Sequence, residues 1–338
     1  MKAWKLKAGA GVGALARADF TPRAAGPHDV VVKVHAASLN YRDLMFARGD
    51  YLGLGDASLV PLADGAGEVV EVGAAVTRFQ PGERVINTYF PHWIDGDATP
   101  SKVSGTPGAQ FDGVLAEHFV ATESSLVAIP SHLSYEEAAT ISCAGITAWN
   151  AIFADGRAQP GATVALLGTG GVSIWALQLA HAAGLRTIAT SSSDAKLERA
   201  RALGANATIN YRTQPEWQNE VLRVTGGEGA DIVVEVGGRD TLPRSVAAAK
   251  MGGLVSIIGG VTSFAGPELG LLPVIGGMKR LHGVMVGSRA MLESVTRFVE
   301  AQQIRPVVDR VFGFDEAPEA YAWLEAGKHF GKVVIRVA

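Results

Sequence analysis

Gly168, Gly170 and Ser173 stand in the spacing G-x-G-x-x-S directly after the apolar run Thr163–Leu167. A strand that passes through flexible glycines into a helix aims free backbone N–H groups and the positive end of the helix dipole at one point, where a pyrophosphate can sit. Gly171 and Val172 belong to the same cradle. The dinucleotide fingerprint carries glycine at its third place; serine there is still small enough for close packing, and its hydroxyl is able to donate to a phosphate. Binders of NAD place a carboxylate about 20 residues further on, to accept from the ribose hydroxyl. Here Thr190, Ser191 and Ser192 stand instead, with Lys196 following. Hydroxyls, backbone N–H groups and an ammonium welcome the 2′-phosphate that a carboxylate would repel, so the pattern points to NADPH. The plainer alternative is that Ser193 or Asp194 caps a helix and Lys196 lies on a solvated face.

The elements around this turn must hold it in place. Val172, Trp175, Ala176, Leu179, Ala180 and Ala183 fall on one helical face, and Gly184 stands where such a helix stops. Strand-like runs follow at Arg186–Thr190, Ala207–Asn210, Asp231–Val236, Leu254–Ile258 and Leu281–Val286, separated by helical patterns near Asp194–Leu203, Glu216–Val224 and Thr241–Lys250. Alternating strands and helices predict an α/β fold, a six-stranded parallel doubly wound sheet with right-handed crossovers. Before it, residues 1 to about 126 read as short strands, among them Val30–Val34, Gly67–Val72 and Arg84–Ile86, with a tight turn at Pro81-Gly82. Tyr89–Gly113 reads as a long loop in which His92 and Trp93 either line a cleft or pack. Ser134 with Glu137 forms a capping box that opens a linking helix. The tail predicts helix Arg289–Gln302, strand Arg310–Phe312, helix Glu316–Ala326 and strand Lys332–Val337. Leu281–Val286 would lie at the open edge of the parallel sheet, and an exposed apolar edge strand invites pairing with its own copy, a homodimer.

Composition excludes several classes. With 338 residues and 48% hydrophobic side chains the chain suits about two filled domains. Thirty basic against 33 acidic residues give a net charge of -3, which favours neither nucleic acid nor an anionic membrane. One cysteine excludes an internal disulfide framework and a multi-cysteine zinc site, and fits a reducing cytosol. No stretch reaches the roughly 20 apolar residues of a membrane helix, so a cytoplasmic protein is expected.

ASLNYRDL, GAGEVVEVG followed by PGERV, CAGITAW, LGTGGVSIWALQLA, SSSDAKLERARALGA and HFGKVVI occur in that order along nearly the whole chain. In these motifs the sequence resembles the medium-chain dehydrogenase/reductase superfamily, and in particular its zinc-free, quinone oxidoreductase-like branch. The resemblance implies a GroES-like, mostly β catalytic domain over 1–126, a Rossmann NADP(H)-binding domain over 127–287, and a return segment, 288–338, completing the first. It places Asn40 and Tyr51 near the reacting centre and Thr147 beside the nicotinamide. It puts Ser192, Lys196 and Tyr211 at the 2′-phosphate, and Val236, Gly237, Gly259, Gly287 and Ser288 near the carboxamide. Where the superfamily's zinc enzymes use a cysteine, a histidine and a second cysteine, this chain has Asn40, Ala63 and Cys143. One thiol cannot hold a metal that needs about three protein ligands, so no metal is expected and Cys143 reads as a packed side chain. The implied activity is NADPH-dependent hydride transfer to a small conjugated carbonyl or quinone. Metal-independent alcohol oxidation or ketone reduction, and a cofactor-binding protein without turnover, are the alternatives.

Overall fold

The computed structural model describes residues 1–51, 55, 57–261 and 269–338. The chain divides into two compact units, Met1–Ile146 with Gly287–Ala338, and Thr147–Val286.

In the second unit six strands, β1 (Thr163–Leu166), β2 (Arg186–Ser191), β3 (Ala207–Asn210), β4 (Ala230–Glu235), β5 (Ala249–Ile257) and β6 (Arg280–Gly283), lie in the order β3-β2-β1-β4-β5-β6. Every pairing is parallel. All four residues of β1 are buried, as expected of a strand covered on both faces. The order reverses between β1 and β4, and ligands of open α/β sheets bind outside the carboxyl ends of the strands at such a switch point. The glycine turn lies there, between β1 and helix α1 (Gly171–Ala182), while helix α2 (Asp194–Ala202) follows β2. The edge strand is shorter than its apolar pattern suggests. After one further bond, from Val284 N to Ile257 O at 2.8 Å, the chain leaves the ladder, and Val286 takes a left-handed φ of 53°.

The first unit is built on the long strand Asp29–Leu39, of which the run Val30–Val34 is only the start. One edge pairs with Asp64–Val72. The other pairs with His118–Thr122 along its first half and with Lys332–Arg336 along its second. Gly67 is required by that packing, because a Cβ there would meet the Lys33 carbonyl oxygen at 2.1 Å. The inward residues of these strands, Val30, Val32, Val34 and Val69, join Leu44, Phe46, Tyr321 and Val333 in one buried core. The capping box at Ser134 and Glu137 is present, with Ser134 N donating to Glu137 Oε2 at 2.8 Å. The linking helix is not regular, however. After Tyr135–Ala138 the segment Ile141–Gly145, which carries Cys143, turns more widely, with Gly145 N reaching back to Thr140 O at 3.4 Å. A residue inserted into a helical turn widens it in this way, and the motif recurs at functional sites.

Candidate active site

Sheet register assembles the first unit's site. Leu39 pairs with Val333, and Ser38 pairs with Asp64. The residue after Leu39, the residue before Val333 and the first residue of Asp64–Val72 are therefore brought together, although Asn40 and Lys332 lie 292 residues apart in the chain. Lys332 Nζ donates to Asn40 Oδ1 at 2.5 Å and to Leu39 O, and stands 3.9 Å from Asp64 Oδ2. Asn40 Nδ2 donates to Asp64 Oδ2 at 2.8 Å. An ammonium can only donate, so it fixes which end of the amide faces it. The side chains of Lys332 and Asp64 are 4% and 0% exposed. Burial pushes the Asp64 carboxyl up to about 7, against the opposing pull of Lys332 and Asn40.

Asn40 occupies the N-cap position of the helix Tyr41–Arg48, but its side chain is turned to Lys332 and Asp64. The local cap comes from Asp43, whose Oδ2 accepts from Asn40 N at 2.7 Å. Arg42, also buried, donates to Pro107 O at 2.8 Å and lies beneath two phenols, 4.8 Å from the Tyr51 ring and 5.3 Å from the Tyr89 ring. The two hydroxyls are hydrogen-bonded to each other at 2.9 Å. Burial works against the Arg42 charge, but Tyr89, Asp43 and Tyr51 more than offset this and raise its pKa. Burial holds the Tyr89 hydroxyl well above the usual phenol range, with Arg42 opposing. Tyr51 is half-buried. In the long loop Trp93 packs inward, donating from Nε1 to Gly96 O at 2.8 Å, while His92 is exposed beside a cavity of about 380 Å³ shared with Thr88, Phe111 and Phe119.

The second unit's site is made largely of backbone. Gly168 has a φ of 72° and donates its N–H to Thr190 Oγ1 at 3.2 Å, and α1 starts from Gly170 with no side chain capping it. The first-turn N–H groups, of Gly171, Val172 and Ser173, are thus left for an anion. The Ser173 Oγ donates inward to Leu167 O at 2.6 Å and is buried. At the end of β2, Ser191 pairs with Asn210, and Tyr211 N donates to Ser191 O at 3.1 Å, which sets Tyr211 beside the serines. Ser193 caps α2, its Oγ accepting from Lys196 N at 3.4 Å, and Asp194 accepts from Asn210 Nδ2 at 2.7 Å. Ser192 and Lys196 are half-buried, and Tyr211 is exposed. Thr147 is buried in this unit.

After β4 the buried Glu235 organises the chain. Its Oε1 accepts from Gly237 N at 2.6 Å, Gly238 N at 3.0 Å and Thr241 Oγ1 at 2.7 Å, and its Oε2 from Ser245 Oγ. The Gly237 N–H is therefore spoken for, and the Val236 carbonyl accepts from Val261 N at 3.2 Å beside Gly259. Gly287 and Ser288 belong to the first unit, where Ser288 caps the helix Arg289–Ala301. Glu235, Asp64, Lys332 and Arg42 were not singled out from the sequence. Glu235, Asp64 and Lys332 are each a charged residue in or beside an apolar run, which is the available signal, whereas Arg42 lies between Tyr41 and Asp43 and gives no such signal.

Residues 26–131 match the family described as "Alcohol dehydrogenase GroES-like domain" and residues 171–301 that described as "Zinc-binding dehydrogenase". A zinc-type alcohol dehydrogenase-like protein of Schizosaccharomyces pombe is 42% identical over 94% of this chain and 93% of its own. The chain belongs to the medium-chain dehydrogenase/reductase superfamily. A solved NAD-dependent alcohol dehydrogenase superposes with a TM-score of 0.90 at 34% identity, covering 100% of both chains. A quinone oxidoreductase of Pseudomonas aeruginosa is 29% identical over 94% of each. The chain is accordingly a medium-chain oxidoreductase.

Members of the superfamily bind nicotinamide cofactors, and the residues here fit one: an uncapped helix N-terminus at a switch point, behind a glycine whose Cβ position is open. Catalytic zinc does not fit the residues at the corresponding places. Ala63 offers no donor, and the Asn40 amide oxygen already accepts from an ammonium. The half-buried Cys143 thiol is pushed far up by burial first and by the Asp64 carboxylate second. Among the described residues no three His, Cys, Asp or Glu side chains are grouped as a metal site would need.

Proposed function

We propose that this chain is a cytoplasmic NADPH-dependent reductase that adds hydride to a small conjugated carbonyl or quinone without zinc. The observation that carries the reading is the Lys332–Asn40–Asp64 arrangement, which engages the Asn40 amide at one of the places where the resembling zinc enzymes have a ligand. Hydride added to an isolated ketone builds charge on oxygen, which zinc enzymes stabilise through the metal. In an enone or quinone the added electron pair is delocalised, so hydrogen bonds suffice.

The cofactor would supply the hydride, held by the α1 N-terminus with its 2′-phosphate near Ser192, Lys196 and Tyr211. Asn40 has one amide N–H without a partner among the described residues, and it can donate to a carbonyl oxygen. Tyr51 can donate its proton to the product, because Tyr89 is placed to donate to the oxygen left behind and Arg42 to stabilise the charge. Self-association through the second unit is supported by the apolar surface at and near β6, where Leu271, Leu272, Ile275, Met278 and Met285 are exposed; light scattering of a homodimer is the expected result. No helix among the described residues is long and apolar enough to cross a membrane.

The test is cofactor oxidation over a panel of enones, quinones, ketones and alcohols, with and without chelator. NADPH-driven enone or quinone reduction indifferent to chelator is expected. Best turnover of plain alcohols, restored by zinc after chelation, would overturn the reading.

A further inference from the structure

In the zinc enzymes this chain resembles, the metal ligands stand at the places of Asn40, Ala63 and Cys143. Here the only cation touching Asn40 and Asp64 among the described residues is an ammonium delivered by the C-terminal strand. We propose that Lys332 is the built-in cation of the site: its ammonium takes the metal's place and holds the Asn40 amide in a single orientation. Lys332 is thus a positioning residue, acting through Asn40.

Three observations support the assignment. Lys332 Nζ lies among oxygens, those of Leu39 and Asn40 at 2.5 Å each and Asp64 Oδ2 at 3.9 Å, as a small cation would. Its side chain is 4% exposed, so little water is at hand to solvate the charge in their stead. Asp64 Oδ1 is buried and has no hydrogen-bond partner, which leaves acceptor capacity on the carboxylate beyond what the ammonium uses. A divalent ion entering this space would have to displace a like charge held by short hydrogen bonds. With the ammonium removed, the Asp64 carboxylate and the Asn40 amide oxygen are left without their cation, and the Cys143 thiol, at the remaining metal-ligand place of the resembling zinc enzymes, would supply the third donor that a catalytic metal needs.

The test uses the full chain, cobalt(II) as probe, and wild type beside Lys332→Ala, Lys332→Arg and Lys332→Ala/Cys143→Ser. Each is incubated with the metal, freed of excess by gel filtration, and assayed for bound cobalt and for thiolate-to-cobalt charge-transfer absorption. Wild type and Lys332→Arg, which keeps the charge, should remain free of cobalt. Lys332→Ala should bind it at least about tenfold more tightly than wild type, with an absorption that the added Cys143→Ser abolishes. If Lys332→Ala folds only when cobalt is present, that also supports the assignment. Uptake through Cys143 by wild type or Lys332→Arg would overturn it. So would a Lys332→Ala protein that holds no more cobalt than wild type, or one that cobalt does not help to fold. None of these readouts depends on the substrate, so the proposed reductase activity can fail without affecting this result.

Discussion

The two sites of this chain are made of different material. In the second unit a strand, a turn and a helix within 20 consecutive residues, Thr163–Ala182, offer an anion backbone N–H groups that carry no titratable proton and need no partner elsewhere. In the first unit Asn40, Asp64 and Lys332 are joined through side chains, two of them ionisable and buried, that meet only because three strands are in register. A backbone site tolerates side-chain substitution and is insensitive to pH; a buried side-chain site should show large and pH-dependent losses. That contrast can be tested.

The largest effect is expected from Lys332→Met. Removing one partner of a buried pair typically costs about 3–5 kcal/mol, because the other charge is left uncompensated. Burial raises the Asp64 pKa from 3.8 to about 7 in the folded protein, so between those values the native state holds a proton that the unfolded state has released. The unfolded state then binds fewer protons, and stability falls as pH rises through that window. Without Lys332 the native pKa should rise further. Urea unfolding should therefore show a loss of about 3–5 kcal/mol near pH 8 and a clearly smaller one near pH 5, with Asp64→Asn added to Lys332→Met recovering part of it. A loss independent of pH would mean that Asp64 is not the group left unpaired.

The same contrast explains what could be read from the sequence. G-x-G-x-x-S after an apolar run, and strands alternating with helices, are local patterns; the parallel sheet and its switch point follow from them. Lys332 was legible only as part of HFGKVVI, since nothing within several residues of it says that its neighbour is Asn40. Likewise Asp64 opens an alternation that reads as an ordinary strand, and Arg42 reads as one polar residue of a helix rather than a cation under two phenols. At Ser173 the limit is different: spacing identifies a small residue near the phosphate position, but not the rotamer that turns its hydroxyl toward Leu167. At β6 the apolar pattern runs on to Val286, whereas the strand ends at Gly283 and Val286 departs from extended geometry at a residue type that rarely does so.

Next in size is Tyr51→Phe. If its hydroxyl protonates the product, loss of turnover should match removal of one preorganised donor, about 2–4 kcal/mol or roughly 30- to 1,000-fold in kcat, with KM little changed. Tyr89→Phe should fall in the same direction but less, because the substrate-facing hydroxyl remains. Equal kcat for wild type and Tyr51→Phe in steady-state assays would remove Tyr51 from the chemistry. A smaller effect is expected at the second unit. Lys196→Ala should narrow an NADPH over NADH preference of about tenfold, equivalent to 1.4 kcal/mol, when both affinities are titrated by fluorescence. Unchanged preference would assign recognition to the serines and backbone alone.

Ser173→Ala tests the backbone character of the second site most directly. The hydroxyl donates to Leu167 O at 2.6 Å at the carboxyl end of β1, so its loss leaves a buried carbonyl short of one donor and should cost about 1 kcal/mol of stability. Alanine keeps the residue small, which preserves the close approach of α1 to the sheet, and leaves the N–H at that position untouched. NADPH affinity should therefore change by less than about twofold, or 0.4 kcal/mol, while urea unfolding records the loss. If affinity instead fell by about tenfold with stability unchanged, the hydroxyl would have to turn outward to the phosphate when the cofactor binds. The second site would then depend on a side chain after all, as the first one does.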